Sequence, residues 1–343
     1  MLGWNPHTAP GVGSTYTAAF RKVFSGAMLD HYLAGGKSIL GSIARDPGNG
    51  TVTVLRPGVL LGKNSSGYYG TSVLGLTGEA MDANETTLTV SEAVGDEIVR
   101  RLGAAATFKL TGPPTAGGTV RTLTVTYSAV AAASGGNRDV TITAMGVSEV
   151  QTLTFGAAAT GGTLRLIVPK PDGTLSVTAA ITWDTTDATY LSNINTALDT
   201  ATGTTAGIVA SGATPDTTLI FTFDRTQYFG PQPQIQVHTF PTSTTSALWA
   251  DTTAGVDGRF VTASMIQPTD GCETILTFVP DGAGIRVVDI DGSTSIYAQN
   301  HRLPVSGEVA FAQLLPAVAD ASLKTYVRSA LNAVGQFVFD VNF

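Results

Sequence analysis

Apolar and polar residues alternate in short runs along most of the chain, and Gly or Pro separates one run from the next. Residues 151–155, 164–168 and 218–223 are clear examples. An alternation of period two places successive side chains on opposite faces of a β-strand. Thr and Val dominate these runs, and side chains branched at Cβ favour strands because they fit a pleated surface. The pattern therefore predicts a mainly β protein.

Three stretches have the spacing of a helix instead. In residues 14–27 an apolar stripe follows Ser14, a candidate N-cap, and a Gly-Gly pair at 35–36 ends the segment. Residues 187–203 and 320–335 carry similar stripes, each beginning near an Asp and ending at a Gly. Residues 97–101 fit either a strand or a short helix.

The middle of the chain reads as a self-contained module. Residues 148–250 contain three predicted strands, one helix and two more strands, which is enough for a small sandwich. Polar, Thr-rich residues at 242–245 and 251–255 are typical of a linker. Beyond the linker, the sequence again predicts strands separated by Gly-rich turns, as in the first part of the chain.

Composition and charge exclude several classes of function. The 343 residues carry a net charge of −7, with 43% hydrophobic and only 13% charged residues. A nucleic-acid groove needs clustered Lys and Arg, and the only notable basic pair is Arg100-Arg101. We expect no membrane span, because no run of about 18 apolar residues exists. The single cysteine, Cys272, is expected to be a buried small apolar residue.

Partial motifs for chemistry are incomplete. Residues 34–38 end like a phosphate-binding loop, but His31 stands where the pattern needs a Gly. Residues 289–292 begin like a calcium loop and lack its later ligands. No two of the four histidines have metal-site spacing, and no nucleophile elbow occurs. The sequence therefore predicts a protein that is not an enzyme, with no cofactor, no metal site and no catalytic residue.

Two parts of the chain resemble the capsid decoration proteins of tailed bacteriophages. Residues 53–63 read Thr-Val-Leu-Arg-Pro-Gly-Val-Leu-Leu-Gly-Lys, and a Gly-Tyr turn and the strand of residues 72–76 follow. This order is similar to the start of the lambda-type head decoration fold. Motifs at 267–271, 279–287 and 331–340 resemble the end of such head proteins. Residues 149–183 are similar to a small β-sandwich module of many phage and surface proteins.

The resemblance implies a β-tulip or β-barrel-like decoration domain with one or two short helices, plus an inserted Ig-like or small α+β sandwich domain. The expected parts are an N-terminal arm and helix (1–39), a discontinuous capsid-binding domain (40–103 and 256–343), a β-hairpin connector (104–147) and the inserted domain (148–255). The resemblance also implies a homotrimer that cements neighbouring major capsid subunits on the outside of the virion. Such a protein is made in the host cytoplasm and binds neither nucleic acid nor membrane.

Aromatic residues near the N-terminus are the predicted capsid contacts, because buried aromatic side chains usually dominate interfaces. They are Trp4, Tyr16, Phe20 and Phe24. The alternative function is a host-binding spike or tail-associated adhesin whose 148–250 module contacts a glycan or receptor. Its exposed contacts would be among Trp183, Tyr228, Phe229 and Trp249. Trp183 also fits a core position, since it lies in an alternating strand.

Overall fold

A computed structural model describes residues 21–25, 31–33, 37–49, 54–287 and 298–339. The protein is mainly β, with three α-helices among the described residues, which confirms the predicted fold class. The chain divides into two compact units. The first takes in the described residues up to 79, residues 87–142 and the described residues from 262 onward; the second takes in residues 80–86 and 143–261.

The elements follow in chain order. The first part of the first unit contains β1 (His31–Tyr32), β2 (Lys37–Leu40), β3 (Val54–Leu55), β4 (Leu60–Lys63), β5 (Tyr69–Thr71), β6 (Gly75–Leu76), β7 (Thr87–Ser91), α1 (Glu92–Leu102), β8 (Ala106–Gly112), β9 (Arg121–Val130) and β10 (Asn137–Ile142). The second unit contains β11 (Val150–Phe155), β12 (Thr163–Pro169), β13 (Leu175–Val177), β14 (Ile181–Thr182), α2 (Asp187–Thr202), β15 (Ile208–Ser211), β16 (Thr218–Phe223), β17 (Gln236–Thr239) and β18 (Ala247–Thr253). The first unit then resumes with β19 (Met265–Gln267), β20 (Thr277–Phe278), β21 (Ile285–Arg286), β22 (Ala298–His301), β23 (Pro304–Val309), a 3₁₀ turn (Phe311–Gln313), α3 (Ala321–Val334) and β24 (Gln336–Phe339).

Three larger sheets build the first unit. Their strand orders are β6-β19-β8-β9-β10-β7, β20-β4-β5-β2-β22 and β1-β23-β24, and β21 pairs with β3 in a two-stranded ladder. The β8–β9 hairpin is antiparallel, with Phe108 opposite Val125. Strands before the second unit therefore pair with strands after it, as β8 does with β19 and β4 with β20. This pairing makes the first unit discontinuous in sequence.

Helix α3 packs one apolar stripe into the core of the first unit. Leu323, Val327 and Leu331 are buried at i, i+4 and i+8, the spacing of a single helix face. The carboxylate of Asp320 accepts a hydrogen bond of 2.9 Å from the N–H of Leu323, which satisfies one of the orphan donors of the first turn. The same cluster contains the aromatic side chains Phe24, Phe278, Phe311 and Phe337.

The second unit is a small sandwich with one helix. Its sheets have the orders β15-β16-β11-β18 and β13-β12-β14, and β17 pairs with β12. Alternate residues of β16, including Phe221 and Phe223, point into a core that Tyr190, Ile194 and Leu198 of α2 complete. Gly203 ends α2 in the left-handed conformation at φ 75°, which glycine adopts without a Cβ clash.

The structure bears out the helix predicted over 187–203 as α2 and the helix over 320–335 as α3, and it resolves residues 97–101 as part of α1. The N-terminal helix over 14–27 is wrong in its described part. Residues 21–25 are extended and form antiparallel bridges with Gly282 and Val309. The earlier part of that predicted helix lies outside the described residues.

Two predicted boundaries also differ from the structure. Residues 104–147 were expected to be a connector, yet β8, β9 and β10 are central strands of the six-stranded sheet of the first unit. The predicted linker around 251–255 is largely strand, because β18 pairs with β11 along its length, with Leu153 opposite Trp249. The second unit runs from 143 to 261 and also takes in 80–86, whereas the expected inserted domain covers 148–255.

Candidate functional site

The described N-terminal residues, Arg21 to Ser25, lie as an extended strand against two late segments of the first unit. The N–H of Arg21 donates to Gly282 O at 2.9 Å, and Gly282 returns a bond of 3.2 Å to Arg21 O. At the other end, the N–H of Ser25 donates to Glu308 O at 2.8 Å, and the N–H of Ala310 donates to Val23 O at 2.8 Å. We call residues 21–25 the anchor segment.

The anchor segment buries its two apolar side chains in the core. Val23 is fully buried and Phe24 is only 5% exposed. The ring centroid of Phe24 lies 5.6 Å from that of Phe278, which is 5.4 Å from that of Phe337. Burying an aromatic side chain in such a cluster stabilises a protein by several kcal/mol, typically about 3–5 when measured by truncation to Ala. The anchor segment is therefore an integral part of the fold.

Asp281 holds the backbone of the anchor segment through its side chain. One carboxylate oxygen, Oδ1, accepts hydrogen bonds from the N–H groups of both Val23 and Phe24, the latter at 3.0 Å. Hydrogen bonds to a charged acceptor are stronger than those between neutral groups. The carboxylate thus satisfies two backbone donors that the neighbouring strands leave unused.

Arg21 fixes the start of the anchor segment. Its Nε donates to Gln313 Oε1 at 3.0 Å, and its Nη2 donates to the Gln313 carbonyl at 2.8 Å. Burial lowers the pKa of Arg21, the positive charge of Arg56 lowers it further, and Asp46 acts in the opposite direction. Arg21 therefore joins the anchor segment to the 3₁₀ turn that ends at Gln313.

Of the predicted capsid contacts, only Phe24 falls within the described residues; Trp4, Tyr16 and Phe20 lie outside them. Phe24 is not a surface contact, because its ring already packs inside the core of the first unit. Asp281 and Gln313 were missed as anchor partners. They lie more than 250 residues away in sequence, and no local pattern connects them to residues 21–25.

The aromatic residues named for the adhesin alternative are not exposed. Tyr228 is buried, and Trp183 and Trp249 are half-buried against the core of the second unit. The Arg259 guanidinium lies 3.2 Å above the centre of the half-buried Phe229 ring. These four side chains are used for packing inside the second unit, which corrects the expectation of exposed contacts.

The described residues contain no cluster of three or more His, Cys, Asp or Glu side chains arranged to hold a metal ion. Burial, followed by the negative charge of Asp270, raises the pKa of the Cys272 thiol to about 12. A thiol reacts as a nucleophile only when deprotonated, so the burial of Cys272 and its raised pKa both disfavour its reaction at neutral pH. None of the described helices has the length and apolar character needed to cross a bilayer.

Comparison of the chain with protein-family models and with curated proteins finds no match.

Proposed function

We propose that the protein is a virion structural protein that binds the outer surface of a tailed-phage capsid and cements neighbouring major capsid subunits. The observation that carries this proposal is the anchor segment. Val23 and Phe24 are buried in the core of the first unit, and Arg21 donates hydrogen bonds to Gln313, so residue 21 is held at a defined point of a folded body.

The residues that precede the anchor segment provide the contact chemistry. Trp4, Tyr16 and Phe20 are large apolar side chains that an interface favours, and the anchor segment supplies their attachment to the body. Binding only to the assembled shell stabilises that shell by mass action, which is how a cement protein acts without any catalytic group. The resemblance of residues 53–76 and 267–340 to lambda-type decoration proteins supports the same function.

The proposal includes a homotrimer made in the host cytoplasm and then bound to the capsid exterior. A threefold assembly suits a protein that joins neighbouring shell subunits, since one trimer presents three identical arms. Light scattering on the purified protein measures the mass of the particle directly. A mass of three chains supports the trimer, and a stable monomer at high concentration refutes it.

The test of capsid binding follows from the position of the anchor segment. Deletion of residues 1–20 leaves the anchor segment intact, whereas a longer deletion would remove part of the core. The truncated protein should remain folded and should fail to co-sediment with undecorated tailed-phage capsids. Unchanged, saturable binding of the truncated protein would assign the contact to the body instead.

A matched substitution variant tests whether binding depends on the aromatic side chains or on the length of residues 1–20. Trp4→Ser, Tyr16→Ser and Phe20→Ser together keep the chain length and remove the three apolar groups. This variant should lose capsid binding, while Lys22→Ser, which changes an exposed residue of the anchor segment, should bind normally. If even the full-length protein fails to bind capsids, the proposed function is wrong.

A further inference from the structure

A cavity of about 280 Å³ lies within the first unit. Its apolar side includes Val59, Val73 and Val94, which are all buried. Its polar side includes Asp46 and Arg56. An apolar cavity with a few polar groups on one side is the usual form of a small-molecule site.

The backbone around the cavity is fixed by hydrogen bonds between separate segments. The N–H of Leu74, which lines the cavity, donates to Ile266 O at 2.7 Å. On another side, the N–H of Leu315 donates to Gly58 O at 2.8 Å. The cavity is therefore already formed in the folded protein, and a ligand that enters it does not have to order the wall.

The volume of the cavity suits a single ring. A buried apolar cavity of about 150 Å³ is large enough to bind benzene. The cavity of the first unit is larger, at about 280 Å³, and so holds one six-membered ring with a small substituent.

Asp46 supplies a buried hydrogen-bond acceptor on the polar side. Its side chain is only 5% exposed. Its Oδ2 accepts from Arg56 Nε at 2.6 Å and from the Arg56 backbone N–H at 3.3 Å, whereas Oδ1 accepts from Arg56 Nη2 at 2.9 Å. A carboxylate has about four acceptor positions, two on each oxygen. One position on Oδ1 therefore remains for a ligand, since no second donor to it is found in the part of the chain that the structure describes.

The same ion pair disfavours an ionised ligand. The charge of Asp46 is matched by that of Arg56 in the bidentate contact, so this pair offers no net charge to an anion or a cation. An ionised group would also lose its hydration beside Val59, Val73 and Val94, which is costly in apolar surroundings. An uncharged hydroxyl has a much smaller desolvation cost.

We propose that this cavity binds a small uncharged molecule of the phenol class. The ring lies among Val59, Val73 and Val94, and the hydroxyl donates to Oδ1 of Asp46. A hydroxyl that donates to a carboxylate forms a strong, charge-assisted hydrogen bond. An aromatic ring is favoured over an aliphatic one, because the planar guanidinium of an arginine such as Arg56 stacks on an aromatic face.

The experiment is isothermal titration of the full-length protein with phenol, anisole, cyclohexanol and benzoate at pH 7, where phenol keeps its proton. Phenol should bind at least tenfold more tightly than anisole, which has no hydroxyl proton to donate to the carboxylate. It should also bind at least tenfold more tightly than benzoate, which is ionised. Cyclohexanol has the hydroxyl but no aromatic face, and should bind at least twofold more weakly than phenol.

A matched pair of variants on helix α1 assigns binding to the cavity. Val94→Phe places a larger side chain in the cavity and should weaken phenol binding at least tenfold. Val99→Phe is the control, because Val99 lies on the same helix, is 38% exposed and does not line the cavity. This control should bind phenol as the wild type does. Equal binding by the wild type and a folded Val94→Phe protein would place phenol elsewhere and overturn the proposal.

Hydrogen exchange of the wild type locates the site even if Val94→Phe does not fold. Phenol should slow the exchange of amides in residues 59–76, where Leu74 is one of the bonded donors. Protection confined to other segments, absence of phenol binding, or equally tight binding of anisole, cyclohexanol or benzoate would each refute the proposal. N-acetyltyrosinamide carries the same ring on a peptide backbone and should bind more weakly than phenol. Equal affinity would assign the cavity to a tyrosine side chain instead of a small molecule.

Discussion

The ring of Phe24 lies so close to Gly307 that no side chain fits between them. A Cβ at position 307 would stand 2.4 Å from Cε1 and 2.8 Å from Cδ1 of Phe24, closer than any normal contact. Gly307 also has a φ of 149°, which side chains rarely adopt. Because position 307 of β23 is a glycine, the Phe24 ring of the anchor segment has room to pack in the core.

Gly307→Ala should therefore destabilise the first unit. Gly282→Ala is a matched control, because Gly282 has a similar φ of 141° and nothing within 4 Å of the added Cβ. Both variants share the backbone strain, and only Gly307→Ala also collides with a buried ring. We expect Gly307→Ala to lower the free energy of unfolding by about 1–3 kcal/mol more than Gly282→Ala, in the range of core overpacking. Urea unfolding measures this difference, and equal effects would refute the contact.

Asp281→Ala should loosen the anchor segment locally. The substitution removes the acceptor of two backbone N–H groups, and each lost hydrogen bond destabilises by about 1 kcal/mol. The two losses together are about 2 kcal/mol, so the open state of the segment should be roughly 30-fold more populated. Trypsin cleavage after Lys22, followed by mass spectrometry, reports this opening.

The control for that experiment is Asp172→Ala. Asp172 is exposed and accepts hydrogen bonds only within its own turn, from Thr174 at 2.9 and 2.6 Å. The Asp172→Ala substitution should leave the rate of cleavage after Lys22 unchanged. Equal cleavage rates in wild type and Asp281→Ala would mean that the carboxylate does not hold the anchor segment.

Cys272 should react with thiol reagents only after unfolding. It is completely buried, and the rise of its pKa from 9.0 to about 12 lowers the thiolate fraction about 1000-fold. Because the chain has one cysteine, labelling reports this site alone. We expect labelling in native buffer at pH 8 to be at least about 1000-fold slower than in denaturant. Rapid labelling of the folded protein would contradict the burial.

Local patterns predicted the helices that carry their own boundary residues. Asp320 and Gly335 bound α3, and Gly203 ends α2, so periodicity and caps agree within a few residues of sequence. The helix predicted over residues 14–27 was wrong in the anchor segment for the opposite reason. Phe20 and Phe24 have helical spacing, yet the backbone of residues 21–25 is set by Asp281 and Val309, far away in the chain. Backbone pairing with distant segments therefore overrides the helix preference of the local sequence.

Strand β18 shows a second limit of the sequence. It is an edge strand whose later residues are all exposed, so its Thr-rich sequence has little of the apolar alternation that marks a half-buried strand.

Two buried tyrosines of the second unit should respond differently to removal of the hydroxyl. Tyr190 and Tyr228 both lie in the core, but the Tyr228 hydroxyl donates to Pro169 O at 3.1 Å. The buried Tyr190 hydroxyl has no hydrogen-bond partner among the described residues. Tyr228→Phe should therefore lower the free energy of unfolding by about 1 kcal/mol, while Tyr190→Phe should leave it unchanged or raise it. Urea unfolding at pH 7 tests both, and a loss in Tyr190→Phe as large as in Tyr228→Phe would refute the difference.

The pH dependence sharpens the test at Tyr190. Burial, with a smaller effect of Asp216, raises the pKa of Tyr190 from 10.0 to about 12 in the folded protein. The folded state thus keeps its proton between pH 10 and 12, where the unfolded state releases it. Stability that is fully present below pH 10 is lost as the pH rises through this window, at up to about 1.4 kcal/mol per pH unit. The Tyr190→Phe variant lacks this loss, so its free energy of unfolding relative to that of the wild type should increase from pH 10 to 12. A constant difference would mean that the Tyr190 hydroxyl ionises equally easily in both states.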